Sequence, residues 1–177
     1  MIAEFRLVSD KENTSLAAKN LLFEVALKHF GVALCDSDIV KDSRGKPFDR
    51  QNRIFFNISH SGNCVAVCCD NCPCGADIQK IVPISDKVMK KLGIAMPYPK
   101  DDKIRTAFWA LAESYIKKTG EGFSGISSVP HFKIPSEIKN EFTNVPSNSK
   151  KELFVIKERN GFIFAVCYEK PICENAF

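Results

Sequence analysis

Residues 54–81 read Ile-Phe-Phe-Asn-Ile-Ser-His-Ser-Gly-Asn-Cys-Val-Ala-Val-Cys-Cys-Asp-Asn-Cys-Pro-Cys-Gly-Ala-Asp-Ile-Gln-Lys-Ile. Residues 54–58 form a short β-prone run, Ser59-His60-Ser61-Gly62 reads as a turn, and residues 63–69 form a second run without charge, as in a strand buried on both faces. Asp70-Asn71-Cys72-Pro73 breaks that run. Gly75-Ala76-Asp77-Ile78-Gln79 then resumes it with a single acid, Asp77, in an apolar frame. An unpaired carboxylate is costly to bury, so Asp77 requires a metal ion, a base or backbone donors.

Downstream lies the strongest helical segment, residues 101–120. Asp101 and Asp102 open it, Lys117 and Lys118 close it, and Gly120 stands where a C-terminal cap belongs, all in the sense the helix dipole favours. Ile104, Phe108, Leu111 and Tyr115 share one stripe; Trp109, Glu113 and Lys117 share the adjoining one, which places Glu113 at the edge of the core.

Upstream, residues 2–8 alternate as an edge or half-buried strand does. Residues 10–14 offer caps for a helix over about 15–30 that Gly31 ends. Leu16, Leu21, Leu22, Phe23, Val25, Leu27 and Phe30 make its apolar stripe wide enough to require a sheet beneath it. Residues 32–49 are a polar connection with a short strand near 38–41, and Arg44-Gly45-Lys46-Pro47 is a rigid turn able to present an ammonium group to a phosphate. Beyond residue 81 the pattern predicts a short basic helix over 85–92. Strands follow at 127–134, 152–157 and 162–169, with a polar linker over 136–151. Residues 62–68 and 160–167 are faintly alike, an internal echo that suggests two similar halves.

The chain of 177 residues is 45% hydrophobic, enough for a real core and against a disordered chain. Its net charge of +4 suits an acidic partner or phosphate ligand and is too small and too dispersed to argue for nucleic acid. With no long apolar stretch and no leader-like segment at Met1, the expectation is a soluble cytoplasmic protein that does not enter the membrane. Eight cysteines include four within residues 68–74, and Cys69 and Cys72 have the spacing of half a zinc site. No second half follows, since Cys167 and Cys173 are too far apart, so Cys64, Cys68 and Cys167 read first as small core residues.

Four motifs in order resemble the signature set of the 4′-phosphopantetheinyl transferases of the surfactin-synthetase-activating (Sfp-like) type. They are Gly45-Lys46-Pro47-Phe48, then residues 56–62 with Val65-Ala66-Val67, then residues 75–80, and finally Trp109-Ala110-Leu111-Ala112-Glu113-Ser114-Tyr115-Ile116-Lys117. The resemblance implies an α+β fold, a pseudo-dimer of two similar α/β halves in one chain, each a long helix packed on a small sheet. The halves would be residues 1–76 and 77–177, with the active site between them.

It also implies the reaction. The phosphopantetheine arm of coenzyme A passes to a serine of an apo acyl, peptidyl or polyketide carrier protein, and adenosine 3′,5′-bisphosphate leaves. Mg²⁺, with Mn²⁺ as an alternative, serves as cofactor, and the enzyme acts as a monomer. By motif position Asp77 and Glu113 are the metal carboxylates. Glu113 is also the general base, Lys117 the stabiliser of charge on the departing phosphate, and Lys46, Ser59, His60 and Lys117 the coenzyme contacts. Each residue has an ordinary structural reading beside this one: a capping aspartate for Asp77, an i,i+4 helix pair for Glu113 with Lys117, an exposed turn lysine for Lys46, and a satisfied histidine for His60.

Gln79, where many relatives carry an acid, and Ala112, where a lysine is common, depart from the family pattern, and the segment over 82–100 is abbreviated. The family's arginine ahead of the first helix is not evident, with Lys11 or Lys19 as substitutes. Two competing readings follow: a degenerate member that binds coenzyme A or carrier protein without catalysis, and a zinc-stabilised interaction module built on residues 68–74.

Overall fold

The computed structural model describes residues 1–9 and 13–170, the side chain of Phe123 excepted. In chain order the elements are β1 (Ile2–Leu7), α1 (Thr14–Phe30), a 3-10 turn (Asp36–Asp38), β2 (Ile39–Lys41), β3 (Pro47–Asp49), β4 (Phe55–Ser61), β5 (Cys64–Asp70) and β6 (Cys74–Lys80). They continue with α2 (Asp86–Lys91), α3 (Asp102–Thr119), a 3-10 segment (Gly122–Ser128), β7 (Thr143–Asn144), β8 (Glu152–Arg159) and β9 (Phe162–Glu169). Helix and strand are mixed as an α+β arrangement. One antiparallel sheet has the order β1-β5-β4, a second has β6-β9-β8-β7, and β2 and β3 form a separate hairpin.

β5 explains the uncharged run. Val65, Val67 and Cys69 point into a core shared with α1, while Cys64, Ala66 and Cys68 point into a core shared with β6 and β9. A strand covered on both faces has no position for a charge. Its hairpin with β4 pairs Ser61 with Cys64, so the loop is only Gly62 and Asn63, with Gly62 at φ 54°. Ser59 and His60, expected in a turn, therefore lie inside β4. The reason is tertiary: Asn57, Ser59 and Ser61 point together at β6, and their side-chain oxygens accept from the N–H groups of Ala76 (3.1 Å), Ile78 (3.3 Å) and Lys80 (3.1 Å). The edge of the second sheet is thus closed by side chains of the first rather than by a backbone ladder.

α1 starts from Asn13, whose Oδ1 accepts from the N–H groups of Ser15 and Leu16, and ends at Gly31 in the left-handed conformation, φ 66°. The capping residues expected at 10–12 lie outside the described residues. Ala17, Ala18, Leu21, Leu22, Val25 and Ala26 are buried against the first sheet. The apolar stripe is narrower than its sequence suggests, because Leu16 and Leu27 are 50% and 58% exposed while alanines make the close contact.

α3 is capped by Asp101, which accepts from Lys103 N–H, and by Gly120, φ 71°. Ala107, Ala110 and Leu111 pack on β8 and β9; Phe108 and Ala112 turn toward Met89 and Leu92 around α2. Its closest approach is to β6. A Cβ on Gly75 would lie 2.1 Å from the carbonyl oxygen of Ser114 and 2.5 Å from the amide nitrogen of Lys118, so only glycine lets helix and strand backbones meet here.

The strand expected at 127–134 does not form. Gly122–Ser128 is a 3-10 segment, and Phe132 makes a lone bridge to Ser147. Pro130 and Pro135 flank that bridge and remove ladder donors on both sides. The polar linker at 136–151 contributes the short β7.

Candidate functional site

The period of two along β6 turns Gly75 and Asp77 toward α3 and Ala76 and Ile78 toward β5. Asp77, 1% exposed, meets Lys117 from α3: Lys117 Nζ donates to Asp77 Oδ1 at 2.6 Å and to Ser59 Oγ at 2.7 Å, and Ser59 Oγ donates to the same Oδ1 at 2.9 Å. Ser59, itself buried, also accepts the Ile78 N–H, which uses its hydroxyl fully. The other Asp77 oxygen, Oδ2, is buried with no hydrogen-bond partner. Burial pushes the Asp77 carboxyl above the usual aspartate range, and Lys117, Ser59 and Gln79 only partly offset it.

Glu113 stands one helical turn before Lys117, and both line a cavity of about 320 Å³ with Arg44, Gly45, Lys46, Asn57 and Gly120 among its walls. Desolvation raises the Glu113 carboxyl above its ordinary value, the Asp77 charge raises it further, and Lys117 opposes both. Two carboxyl groups each raising the demand for a cation, around one ammonium, is an arrangement suited to proton transfer or cation binding.

The β2–β3 turn supplies the opposite wall. Asp42 Oδ1 accepts from the N–H groups of Arg44 and Lys46, with Gly45 at φ 84° between them. The turn docks on the C-terminal end of α3: Arg44 Nη1 donates to the Gly120 carbonyl at 3.0 Å and Lys46 Nζ to the Lys118 carbonyl at 2.8 Å, so two cations answer the helix's open carbonyls. Burial lowers the Lys46 pKa.

The structure brings Asp77, Glu113, Lys117, Ser59 and Lys46 to one junction. It does not bring His60 there. His60 is exposed at the end of β4, one position off the Asn57-Ser59-Ser61 row and outside the cavity wall. Ala112 is buried against Met89 and Leu92, so its side chain cannot face the cavity. Three contributors escape sequence reasoning: Arg44, Asn57 and Lys118. Lys118, 8% exposed, bonds Glu152 and Glu169, each at 3.1 Å; burial works against its charge, but the two carboxylates outweigh it and raise its pKa. A lysine inside a basic helix end carries no sequence signal for this.

The donor set fits a hard divalent cation. Asp77 Oδ2 is an unsatisfied buried oxygen, and Glu113 lies within reach of the Asp77 charge. Among the described residues no group of three or more His, Cys, Asp or Glu side chains gathers, so the protein would offer two carboxylates, the usual protein share when waters and substrate phosphates complete an Mg²⁺ shell. The cysteines of 68–74 do not gather as a zinc set among the described residues: Cys69 faces the α1 core, only Cys68 and Cys74 meet on the side of the second sheet, and Cys173 lies outside the described residues. Among the described residues no helix is long and apolar enough to cross a membrane.

Several known proteins are similar to this chain. The chain is 33% identical over 127 residues to the 4′-phosphopantetheinyl transferase psf-1 of Bacillus pumilus, a match covering 63% of this chain and 54% of that protein. It is 39% identical over 77 residues to the 4′-phosphopantetheinyl transferase Sfp of Bacillus subtilis, 39% of this chain and 34% of the relative. The chain is thus similar in sequence to Sfp-like 4′-phosphopantetheinyl transferases. A third match, 28% over 137 residues, is to the 4′-phosphopantetheinyl transferase HetI of Nostoc, covering 68% of this chain and 57% of that enzyme. The matches span between 34% and 57% of the length of these curated relatives. No family model matches the chain.

Proposed function

We propose that this protein transfers the 4′-phosphopantetheine arm of coenzyme A to a serine of an apo carrier protein and releases adenosine 3′,5′-bisphosphate. The observation that carries the proposal is the Asp77–Lys117–Glu113 constellation, in which a buried carboxylate keeps one oxygen unpartnered beside a second carboxyl raised by burial. Asp77 through Oδ2 and Glu113 would hold the Mg²⁺ or Mn²⁺ ion, which when bound neutralises pyrophosphate charge.

Glu113, on the cavity wall, takes the proton of the carrier serine hydroxyl as general base. The serine oxygen then bonds the phosphorus bearing pantetheine as the pyrophosphate P–O bond breaks. Lys117 and Lys46, both on the cavity wall, supply positive charge for the phosphates, with His60 as an outlying coenzyme contact. Ser59 acts through Lys117 and Asp77, whose positions it fixes.

In this reading the two helix-on-sheet units, α1 on β1-β5-β4 and α3 on β6-β9-β8-β7, are the halves of a pseudo-dimer. The halves are assigned to residues 1–76 and 77–177, a division that lies within β6, and the chain acts as a cytoplasmic monomer on acyl, peptidyl or polyketide carriers.

The test is intact-mass measurement of several apo carrier proteins incubated with this chain, coenzyme A and Mg²⁺. The expected result is a gain of one phosphopantetheine arm, lost with chelator and with Glu113→Ala. No gain on any carrier, with protein shown to be folded, would favour a binding protein without catalysis.

A further inference from the structure

Cys68 on β5 and Cys74 on β6 lie in the layer between the two sheets, with their sulfurs 3.3 Å apart and Cys68 Sγ–H donating to Cys74 Sγ. The Cys74 thiol faces the carbonyl oxygens of Phe55 at 3.7 Å and Cys68 at 3.8 Å. Both are free thiols, and neither belongs to the Asp77–Lys117 junction. A second cavity of about 390 Å³ has Cys74 in its wall, with Phe48, Phe55 and Pro73 as apolar lining and Lys46 and Lys118 as cations. Lys46 interacts electrostatically with both sulfurs. A sulfur in a cavity wall, backed by a second sulfur and within the field of the Lys46 ammonium group, has the parts of a reactive dithiol.

We propose that Cys68 and Cys74 form a redox-reactive pair that a hydroperoxide converts to an intramolecular disulfide, with Cys74 as the sulfur attacked first and Cys68 as the resolving one. Closing the bond from the present separation needs an approach of about 1 Å. The Cys74 sulfur takes one oxygen of the peroxide as the O–O bond breaks, and the other oxygen leaves as water from hydrogen peroxide or as an alcohol from an organic hydroperoxide. The Cys68 sulfur then displaces the sulfenic hydroxyl, which leaves as water. The two thiols together give up two electrons and two protons. Burial holds the Cys68 thiol well above its ordinary pKa, which leaves Cys74, in the cavity wall, as the sulfur that meets the oxidant. The product ties β5 of the first sheet to β6 of the second.

The experiment treats the full chain with hydrogen peroxide, alkylates the remaining thiols in denaturant, and digests on the N-terminal side of Asp70, which separates Cys68 from Cys74. The expected result is joint loss of alkylation at Cys68 and Cys74, a linked peptide pair, and recovery of both thiols with dithiothreitol. Cys64 and Cys69 stay alkylated. Cys74→Ala should leave Cys68 alkylated after the same treatment. Should that variant fail to fold, the wild-type peptide map still decides. Full alkylation of Cys68 and Cys74 at a dose that oxidises the exposed Cys35 would overturn the proposal, as would a disulfide from Cys74 to Cys72.

Discussion

Lys117→Met isolates what the central ion pair does. Asp77 has a side chain only 2% exposed, whereas the Lys117 side chain is 29% exposed, so the two partners differ in what they can do alone. A released lysine can turn to water; a released Asp77 cannot. Removing Lys117 takes away the charge at 2.6 Å that favours the ionised carboxylate and leaves the Ser59 hydroxyl and Gln79 to do so. Breaking a buried pair in this way costs about 3 kcal/mol or more, which for a chain of this size lowers Tm by about 6–12 °C.

The pH dependence has a definite sign. Burial already holds the Asp77 pKa above its unfolded value, and loss of Lys117 lifts it further. The penalty is absent below the unfolded carboxylate pKa, where both states are protonated. It grows as pH rises through the interval up to the folded pKa. Urea unfolding at several pH values therefore should show Lys117→Met close to wild type near pH 4 and well below it at neutral pH, with Asp77→Asn/Lys117→Met recovering most of the loss. A Lys117→Met deficit of equal size at every pH would refute the reasoning, because a lost packing contact does not titrate.

Glu113→Gln should lower phosphopantetheine transfer by about 10²–10⁴-fold with little change in stability. In the metal-free protein the Glu113 carboxyl should titrate above the ordinary glutamate range, since desolvation and then the Asp77 charge raise it; an NMR titration of its side-chain carboxyl reads it directly. Gly75→Ala drives a methyl group into the Ser114 carbonyl and the Lys118 amide, both backbone, and should cost about 1–3 kcal/mol or more in urea unfolding. Ser59→Ala leaves the Ile78 N–H unpaired and removes one acceptor of Lys117. A stability loss of about 1–3 kcal/mol is expected, and a loss below that range would show that water replaces the hydroxyl.

Much of the frame was legible because local chemistry agrees with global packing. Asp101, Gly120 and the basic last turn placed α3, Gly31 ended α1, and the uncharged run 64–69 announced a strand covered on both sides. Misreadings arose where polar residues do tertiary work. Ser59 and His60 resemble a turn because serine and histidine are weak strand signals, yet the row Asn57-Ser59-Ser61 exists to bond the edge of β6. Residues 127–134 have the apolar content of a strand, but Pro130 and Pro135 remove ladder donors on either side of Phe132. Lys46 was legible as a cation in a rigid turn but not as one whose ammonium group ties that turn to α3.

By itself the sequence determined the helices, their caps, the buried strand and the identity of the chemical groups, because each follows from neighbours within one turn or one pleat. Only the tertiary structure decided which groups meet. Asp77 and Lys117 come from a strand and a helix joined by a long connection. Their contact exists because Gly75 lets α3 settle onto β6, and because β4 holds Ser59 against both. The orphaned oxygen of Asp77 follows from that settlement: burial removes water from both carboxylate oxygens, and the packing returns a partner to only one of them.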